Sequence, residues 1–350
     1  MVILTEEKIT SLKALLEAAS RVVVLGHTHA DGDALGSTAA LCLFLKESLG
    51  KEVSCLFSDT PPDNLKFLLA AGVPYYFHDR QPLEAVQAIE KADLIVLLDA
   101  NAFNRTEALT RPLQESSARK VLIDHHLNPD TPSFDLVFST PDISSASELL
   151  YWILKELGYP VKPGMAEASP ADKAIGEALL AGMTTDTNNF NNSVFPSTFR
   201  MASELIEAGV DRDALLQQIY WCYRENRVRL MGYMQSQQLT ILPCGAAYMI
   251  LSKKIQAKFD LREGESEGLV NVPLTIENVR LSVLVKEDGP VWRVSIRSKK
   301  GTSAQQLAMT VFHGGGHENA AGGKIIPGED YARSRSVRAY LERVLNDYLS

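Results

Sequence analysis

Three short apolar runs in the first half of the chain each lead into a histidine or an aspartate. Arg21–Leu25 (RVVVL) precedes His27, Leu94–Leu98 (LIVLL) precedes Asp99, and residues 120–123 (KVLI) precede Asp124, His125 and His126. Runs this short and this uniformly apolar read as strands buried on both faces, as in parallel sheets covered by helices. Residues 53–57 form a weaker strand, and residues 36–49, 145–157 and 171–183 carry helical apolar spacing, the first closed by Gly50. This alternation predicts the α/β class with a doubly wound, mostly parallel sheet. Such a sheet gathers the carboxyl ends of its strands on one edge, where ligands bind. Side chains far apart in sequence are therefore expected to meet there.

The second half has a different texture. Residues 196–238 look helical, polar and amphipathic with no strand signal, and read as a connector. Beyond them, residues 247–251, 280–285 and 291–296 read as strands, with Glu287, Asp288 and Gly289 as a hairpin turn. A helical tail follows from about Asp330. With 350 residues the chain is long enough for two cores. The expected division is a metal-binding catalytic domain over residues 1–195, a connector over 196–238 and a smaller α/β substrate-binding domain over 239–350.

The polar residues at the strand ends form a set. His27, Asp31 and Asp33 share one loop in GHTHADGDALGS, and Asp99 and Asp186 (in AGMTTDT) are placed to bridge or cap bound ions. Carboxylates and imidazoles without a thiolate suit a pair of divalent cations, Mn²⁺ first, then Mg²⁺ or Fe²⁺, rather than a structural zinc. Asp31-Gly32-Asp33 also has the spacing of a calcium loop, but the closing Glu of an EF-hand is absent. Gly32 is expected to relieve crowding between the two acids through backbone angles closed to other residues. Six of the seven histidines fall in these motifs or in the glycine loop described below, which argues against a chance scatter.

Such a centre implies phosphoester hydrolysis. Two ions about 3.5–4 Å apart lower the pKa of a bridging water and clamp a phosphoryl group for in-line attack. The resulting hydroxide is the expected nucleophile, with no covalent role for Ser or Cys. His126 is the candidate for stabilising the phosphate oxygens or protonating the leaving oxygen. Asp124 is expected to orient His125 rather than to bind metal.

The net charge of -8 argues against stable binding of duplex nucleic acid, which requires Lys and Arg to neutralise phosphates. It permits a short anionic substrate, because two cations reverse the local sign of an acidic pocket. No apolar stretch approaches the ~20 residues of a membrane span, and the first residues turn acidic too early for a signal peptide. Cys42, Cys55, Cys222 and Cys244 show no Cys-x-x-Cys spacing. They read as reduced thiols of a cytoplasmic protein with no membrane partner.

His27-x-x-x-Asp31-Gly32-Asp33, the strand-end Asp99, Asp124-His125-His126 and Thr185-Asp186-Thr187 together resemble the DHH phosphoesterases. Arg297-Ser298 with Gly314-Gly315-Gly316-His317-x-x-Ala320-Ala321-Gly322 is similar to the associated DHHA1 domain. At this length the combination resembles the nanoRNase and 3′-phosphoadenosine 5′-phosphate phosphatase group of bifunctional oligoribonucleases. The resemblance implies Mn²⁺ dependence and His27, Asp31, Asp33, Asp99, His125 and Asp186 as metal ligands. It further implies that His126 contacts the scissile phosphate, that Arg297, Ser298, Gly314, Gly315, Gly316 and His317 hold the nucleotide, and that the active site lies in a cleft between the domains. The glycines would offer backbone N–H groups to a phosphate as helix-entry loops do, and Arg297 suits bidentate phosphate recognition. Two positions depart from the family pattern: His29-Ala30 replaces the usual Asn-Pro, and Thr187-Asn188-Asn189-Phe190 replaces Thr-Gly-x-Phe. Neither change removes a ligand.

The leading expectation is an enzyme that removes nucleotides from very short single-stranded RNA and dephosphorylates 3′-phosphoadenosine 5′-phosphate. The same chemistry serves a cyclic or linear dinucleotide phosphodiesterase. Pyrophosphate or polyphosphate hydrolysis is a further alternative, for which Arg293, Arg297, Lys299 and Lys300 supply cations. A binding module with a vestigial site fits poorly, because every expected ligand is present.

Overall fold

The computed structural model describes residues 3–160, 169–262, 264–332, 334 and 336–350. The chain divides into two compact units, Met1–Cys222 and Tyr223–Ser350. The stretch 196–238, read from sequence as a connector, is shared between them.

The first unit holds strands β1 (Arg21–Leu25), β2 (Glu52–Phe57), β3 (Tyr75–Phe77), β4 (Leu94–Leu98), β5 (Arg119–Asp124) and β6 (Leu136–Ser139). They form one parallel sheet in the order β3-β2-β1-β4-β5-β6. Its helices are α1 (Glu6–Ala18), α2 (Gly32–Leu43), α3 (Pro82–Lys91), α4 (Thr110–Glu115), α5 (Ala146–Glu156), α6 (Pro170–Asp186), α7 (Pro196–Glu207) and α8 (Arg212–Tyr220). Val22, Val24, Val96 and Leu98 bury one face of the sheet in a core with residues of α1, α2, α5, α6, α7 and α8. Val23, Leu25, Ile95 and Leu97 bury the other face with Ala85 and Ile89 of α3 and Leu113 of α4. Both faces are dry, which is why the strands show no polar alternation. The strand order reverses between β1 and β4, so the loops leaving these two neighbours diverge and open a crevice at their carboxyl ends.

Two details bear on what sits in that crevice. Sequence spacing placed a helix over residues 36–49, but α2 begins at Gly32, with Asp31 as its N-cap accepting the N–H groups of Asp33 and Ala34. Gly32 is therefore ordinary helix, not a relaxed loop. It must be glycine because a Cβ there would lie 2.8 Å from Thr185 Cβ on α6. Likewise a Cβ on Gly36 would meet the Ala178 carbonyl oxygen at 2.5 Å and the Gly182 nitrogen at 3.0 Å. α2 and α6 thus cross almost backbone to backbone. Helix α6 also runs three residues past the expected Met183, so that Asp186 is its last residue.

The second unit holds β7 (Thr240–Ile241), β8 (Ala246–Leu251), β9 (Leu281–Asp288), β10 (Val291–Ser298), β11 (Gly315–Gly316) and β12 (Ala320–Ile325). These form a mixed sheet in the order β11-β12-β10-β9-β8-β7, parallel only between β8 and β9. Helices α9 (Glu225–Tyr233), α10 (Lys253–Lys258), α11 (Ala304–Val311) and α12 (Val337–Leu349) complete it. β11 and β12 escaped the sequence reading because glycine and alanine carry little strand preference. Among the described residues, no helix is long and apolar enough to cross a membrane.

Candidate active site

His27 lies just past β1, Asp99 just past β4, and Asp124 closes β5, so the carboxyl edge of the sheet presents all three motifs side by side. Helices α2 and α6 bring Asp33 and Asp186 to the same place. Two of the clusters of donors take up the expected ligands, His27 with Asp31 and Asp99, and Asp33 with His125 and Asp186; within each, donor atoms lie within 4.8 Å of one another, as they do in a third cluster of Asp99, Asp124 and His126. Asp99 links the first two. Its Oδ2 lies 3.5 Å from His27 Nε2, and its Oδ1 lies 3.3 Å from His125 Nε2. The residue has φ of 55°, a left-handed conformation that aspartate tolerates better than most.

Around this bridge the other members are held by backbone. Asp33 is 1% exposed and accepts the N–H groups of Ala146 (2.7 Å) and Ser147 (2.9 Å), at the first turn of α5. Those positive helix-terminal groups suit a carboxylate. Asp186 Oδ2 is 3.7 Å and Asp33 Oδ2 4.0 Å from His125 Nε2. His27 Nδ1 donates to the Thr28 carbonyl at 2.8 Å, which turns Nε2 toward Asp31 and Asp99.

These contacts allow a test of cation binding on the residues themselves. With Nδ1 carrying the proton, neutral His27 aims a lone pair at two carboxylates, an arrangement that needs a positive centre between them. A proton supplies it when nothing else does. Burial pulls the His27 pKa down, but the hydrogen bond to Asp99 and the charges of Asp31 and Asp99 raise it to about 9. His125 is raised in the same way against burial, by Asp186, Asp99 and Asp33. Burial pushes Asp33 well up, with the charges of Asp99 and Asp186 adding to it. Asp186 is raised to about 6, by burial first and then Asp99 and Asp31, against the pull of His125. Burial also works to raise Asp99, but the hydrogen bonds with His125 and His27 win and hold it well below the usual range. Crowded buried acids facing imidazole nitrogens therefore fit divalent cations, which would let every carboxylate ionise.

A pH experiment follows. The raised folded pKa values of His27 and Asp186 mean that the folded state holds protons which the unfolded chain releases. Asp186 contributes stability below about pH 4 that is lost as pH rises through about 6. His27 contributes stability below its unfolded value near 6.5 that is lost through about 9. The chelated protein is expected to melt at falling temperature from pH 5 to 9 in scanning calorimetry, and excess Mn²⁺ to flatten that decline. An identical pH dependence with and without Mn²⁺ would contradict the assignment.

One expectation is corrected. Asp124 was read as orienting His125, but it holds His126: Oδ1 accepts from His126 Nδ1 at 2.8 Å, and Oδ2 accepts from the His126 backbone N–H at 3.1 Å. The side chain of Asp124 is fully buried at the end of β5, two residues before the ring it holds. Two contributors were missed. The first turn of α5 cradles Asp33, and the Ser145-x-x-Glu148 spacing of a capping box marks that helix start in the sequence. Asp59 clamps His29, accepting its N–H at 2.8 Å and bonding Nδ1 at 2.6 Å, while His29 holds φ of 57°.

In the second unit, the glycine loop is not a helix entry. Gly315 and Gly316 form a strand paired with β12, and the Gly314 N–H already donates to the Ala308 carbonyl at 3.0 Å. Glycine is demanded there by close backbone packing: a Cβ on Gly316 would stand 2.6 Å from the Ala320 carbonyl oxygen, and one on Gly314 2.5 Å from Gly323 Cα. The His317 N–H donates to the Ala320 carbonyl at 2.7 Å. Arg297 lies on β10 directly opposite Ala320 of β12, the strand that pairs with the glycines. Ser298 is buried, its hydroxyl donating to the Thr302 carbonyl and accepting from Asn319 Nδ2.

Residues 21–183 match the DHH family, N-terminal domain, and residues 246–343 match the DHHA1 domain. The bifunctional oligoribonuclease and PAP phosphatase NrnA of Thermus thermophilus is 27% identical over 322 residues, 91% of this chain and 89% of that protein. A probable bifunctional oligoribonuclease and PAP phosphatase NrnA of Streptococcus mutans is 32% identical over 208 residues, 58% of this chain and 61% of that one. Among solved structures, an exopolyphosphatase-related protein from Bacteroides fragilis superposes with a TM-score of 0.88 at 34% identity, over 99% of this chain and 97% of that one. The order of the two matched domains, and that full-length likeness, agree with the ligand geometry at the strand ends: the chain belongs to the DHH family of phosphoesterases and carries a DHHA1 domain.

Proposed function

We propose that the protein hydrolyses short oligoribonucleotides, with 3′-phosphoadenosine 5′-phosphate as a second substrate, using two divalent cations, Mn²⁺ first. The observation that carries this reading is Asp99, whose two carboxylate oxygens face imidazoles of two different donor groups. His27, Asp31 and Asp99 would hold one cation; Asp33, His125, Asp186 and the other oxygen of Asp99 would hold the second. When bound, such a pair makes water nucleophilic near neutral pH and neutralises charge developing on a phosphoryl group.

The chain's own groups supply the rest. The α5 N–H groups keep Asp33 aimed inward, and Thr28 fixes the His27 tautomer. Asp124 clamps His126 through two contacts, holding the ring that would meet a phosphate oxygen or hand a proton to the leaving oxygen. The paired strands β10, β12 and β11, with Arg297, His317 and the glycines, would hold the nucleotide portion. The names of the NrnA relatives support the choice of short RNA and PAP as substrates.

The test is a substrate panel with Mn²⁺ comprising dinucleotides, longer strands, 3′-phosphoadenosine 5′-phosphate, cyclic dinucleotides and pyrophosphate. Turnover is expected to fall steeply with strand length and to be absent on pyrophosphate. Equal rates on dinucleotides and long strands, or phosphate release from pyrophosphate alone, would overturn the reading.

A further inference from the structure

The loop after Asp186 departs from the family pattern at Asn188 and Asn189, and it is unusual in the structure as well. Asn188, Asn189 and Phe190 have φ of 48°, 57° and 64°, and Ser193 has φ of 54°. Consecutive left-handed residues are costly, and for a bulky aromatic the conformation is a real outlier. Strain of this kind persists where the surroundings over-determine it, and it clusters at functional sites. Here the Thr187 hydroxyl accepts the Phe190 N–H at 3.0 Å and itself donates to the Met183 carbonyl at 2.8 Å, while Arg212 Nη2 donates to Asn189 Oδ1 at 2.7 Å.

The strained turn places Phe190 beneath Phe199 of α7. Their ring centroids are 5.4 Å apart with 16° between planes, a stacked pair, and the Arg212 guanidinium lies 5.8 Å from the Phe190 centroid. Phe190 packs against the main core, whereas Phe199 is 55% exposed. The Phe199 ring is thus supported on one face by Phe190 and open to solvent over more than half of its surface.

Both ends of this stack are tied to the same donor group. Phe190 follows Asp186 by four residues along one tight turn. Beside Phe199, the Thr198 hydroxyl donates to Glu148 Oε2 at 2.7 Å, and Glu148 is in the first turn of α5, whose leading N–H groups hold Asp33. The stack is thus joined to the group of Asp33, His125 and Asp186 by chain connectivity on both sides, four residues from Asp186 on one and through Thr198, Glu148 and the first turn of α5 to Asp33 on the other.

We infer that Phe199, stacked on Phe190 and backed by Arg212, is a platform on which a nucleobase of the substrate lies while its phosphate occupies the donor cluster. The occupant is a flat aromatic attached to an anion, which suits the open ring face of Phe199. This rests on the nucleotide reading above. A platform on the catalytic unit gives a reason for preferring short nucleotides that does not depend on the second unit.

The experiment compares kcat/KM for a dinucleotide with that for the same sugar–phosphate backbone lacking bases. In Phe199→Ala and Phe199→Leu, the preference for the base-bearing substrate is expected to fall about tenfold, carried by KM. Phe199→Trp should restore it, because a stacking face returns. Preference retained in Phe199→Ala, or recovery with Leu as full as with Trp, would overturn the platform while leaving the nucleotide reading intact. Wild-type protein inert toward dinucleotides would end that reading, and the platform with it.

Discussion

Asp99→Asn is expected to lower kcat by roughly 10³-fold or more, about 4 kcal/mol of lost transition-state stabilisation, with an unchanged far-UV spectrum. Asparagine has the same size and accepts the left-handed φ of 55° that position 99 requires. It removes the charge and leaves one carbonyl oxygen where two carboxylate oxygens face His27 and His125. The shared ligand is thereby reduced to one that serves a single group. Calorimetric titration should show weaker Mn²⁺ binding, separating loss of the ions from loss of the fold. Steady-state turnover within tenfold of wild type at saturating Mn²⁺ would remove Asp99 from the centre of the chemistry.

Gly36→Ala is expected to destabilise the protein by about 2–3 kcal/mol. The helix propensity of alanine acts the other way, by up to about 1 kcal/mol. Packing wins because the new methyl would meet the Ala178 carbonyl at 2.5 Å and the Gly182 backbone nitrogen at 3.0 Å, and backbone atoms cannot rotate aside. Forcing α2 from α6 would also part Asp33 from Asp186, so Mn²⁺ affinity should fall with stability. Gly232→Ala is the contrast. That glycine lies in α9 with nothing within 4 Å of a built Cβ, so the same substitution should be neutral or stabilising there. Denaturant midpoints of the two variants measure the difference, and a Gly36→Ala protein as stable as wild type would show that the helix crossing is looser than its geometry.

Periodicity located β1, β4 and β5 to within a residue, because strands buried on both faces must be apolar throughout. Helix starts were harder. The donors between β1 and α2 hid the first turn of that helix, since Asp31-Gly32-Asp33 reads as loop chemistry until the cap hydrogen bonds are seen. Gly32 is the instructive glycine: its residue order suggests loop freedom, whereas its first requirement is the space that Thr185 of α6 occupies, and Gly314 and Gly316 likewise stand where another backbone segment leaves no room for a Cβ. A sequence records that a side chain is missing, not what fills the place. The Asp124–His126 clamp was also hidden, because adjacency in sequence favours His125 and the bond to the next ring along is set by how the chain leaves β5.

The candidate ligands, their positions after strands and the α/β rhythm were all legible from residue order, because donor chemistry and burial periodicity are local properties of the chain. The strand order β3-β2-β1-β4-β5-β6, the sorting of donors into two groups sharing Asp99, and the stack of Phe190 on Phe199 were decided by tertiary structure. Each depends on which distant segments pack together, and on the close helix crossing that sets their separation to within a methyl group.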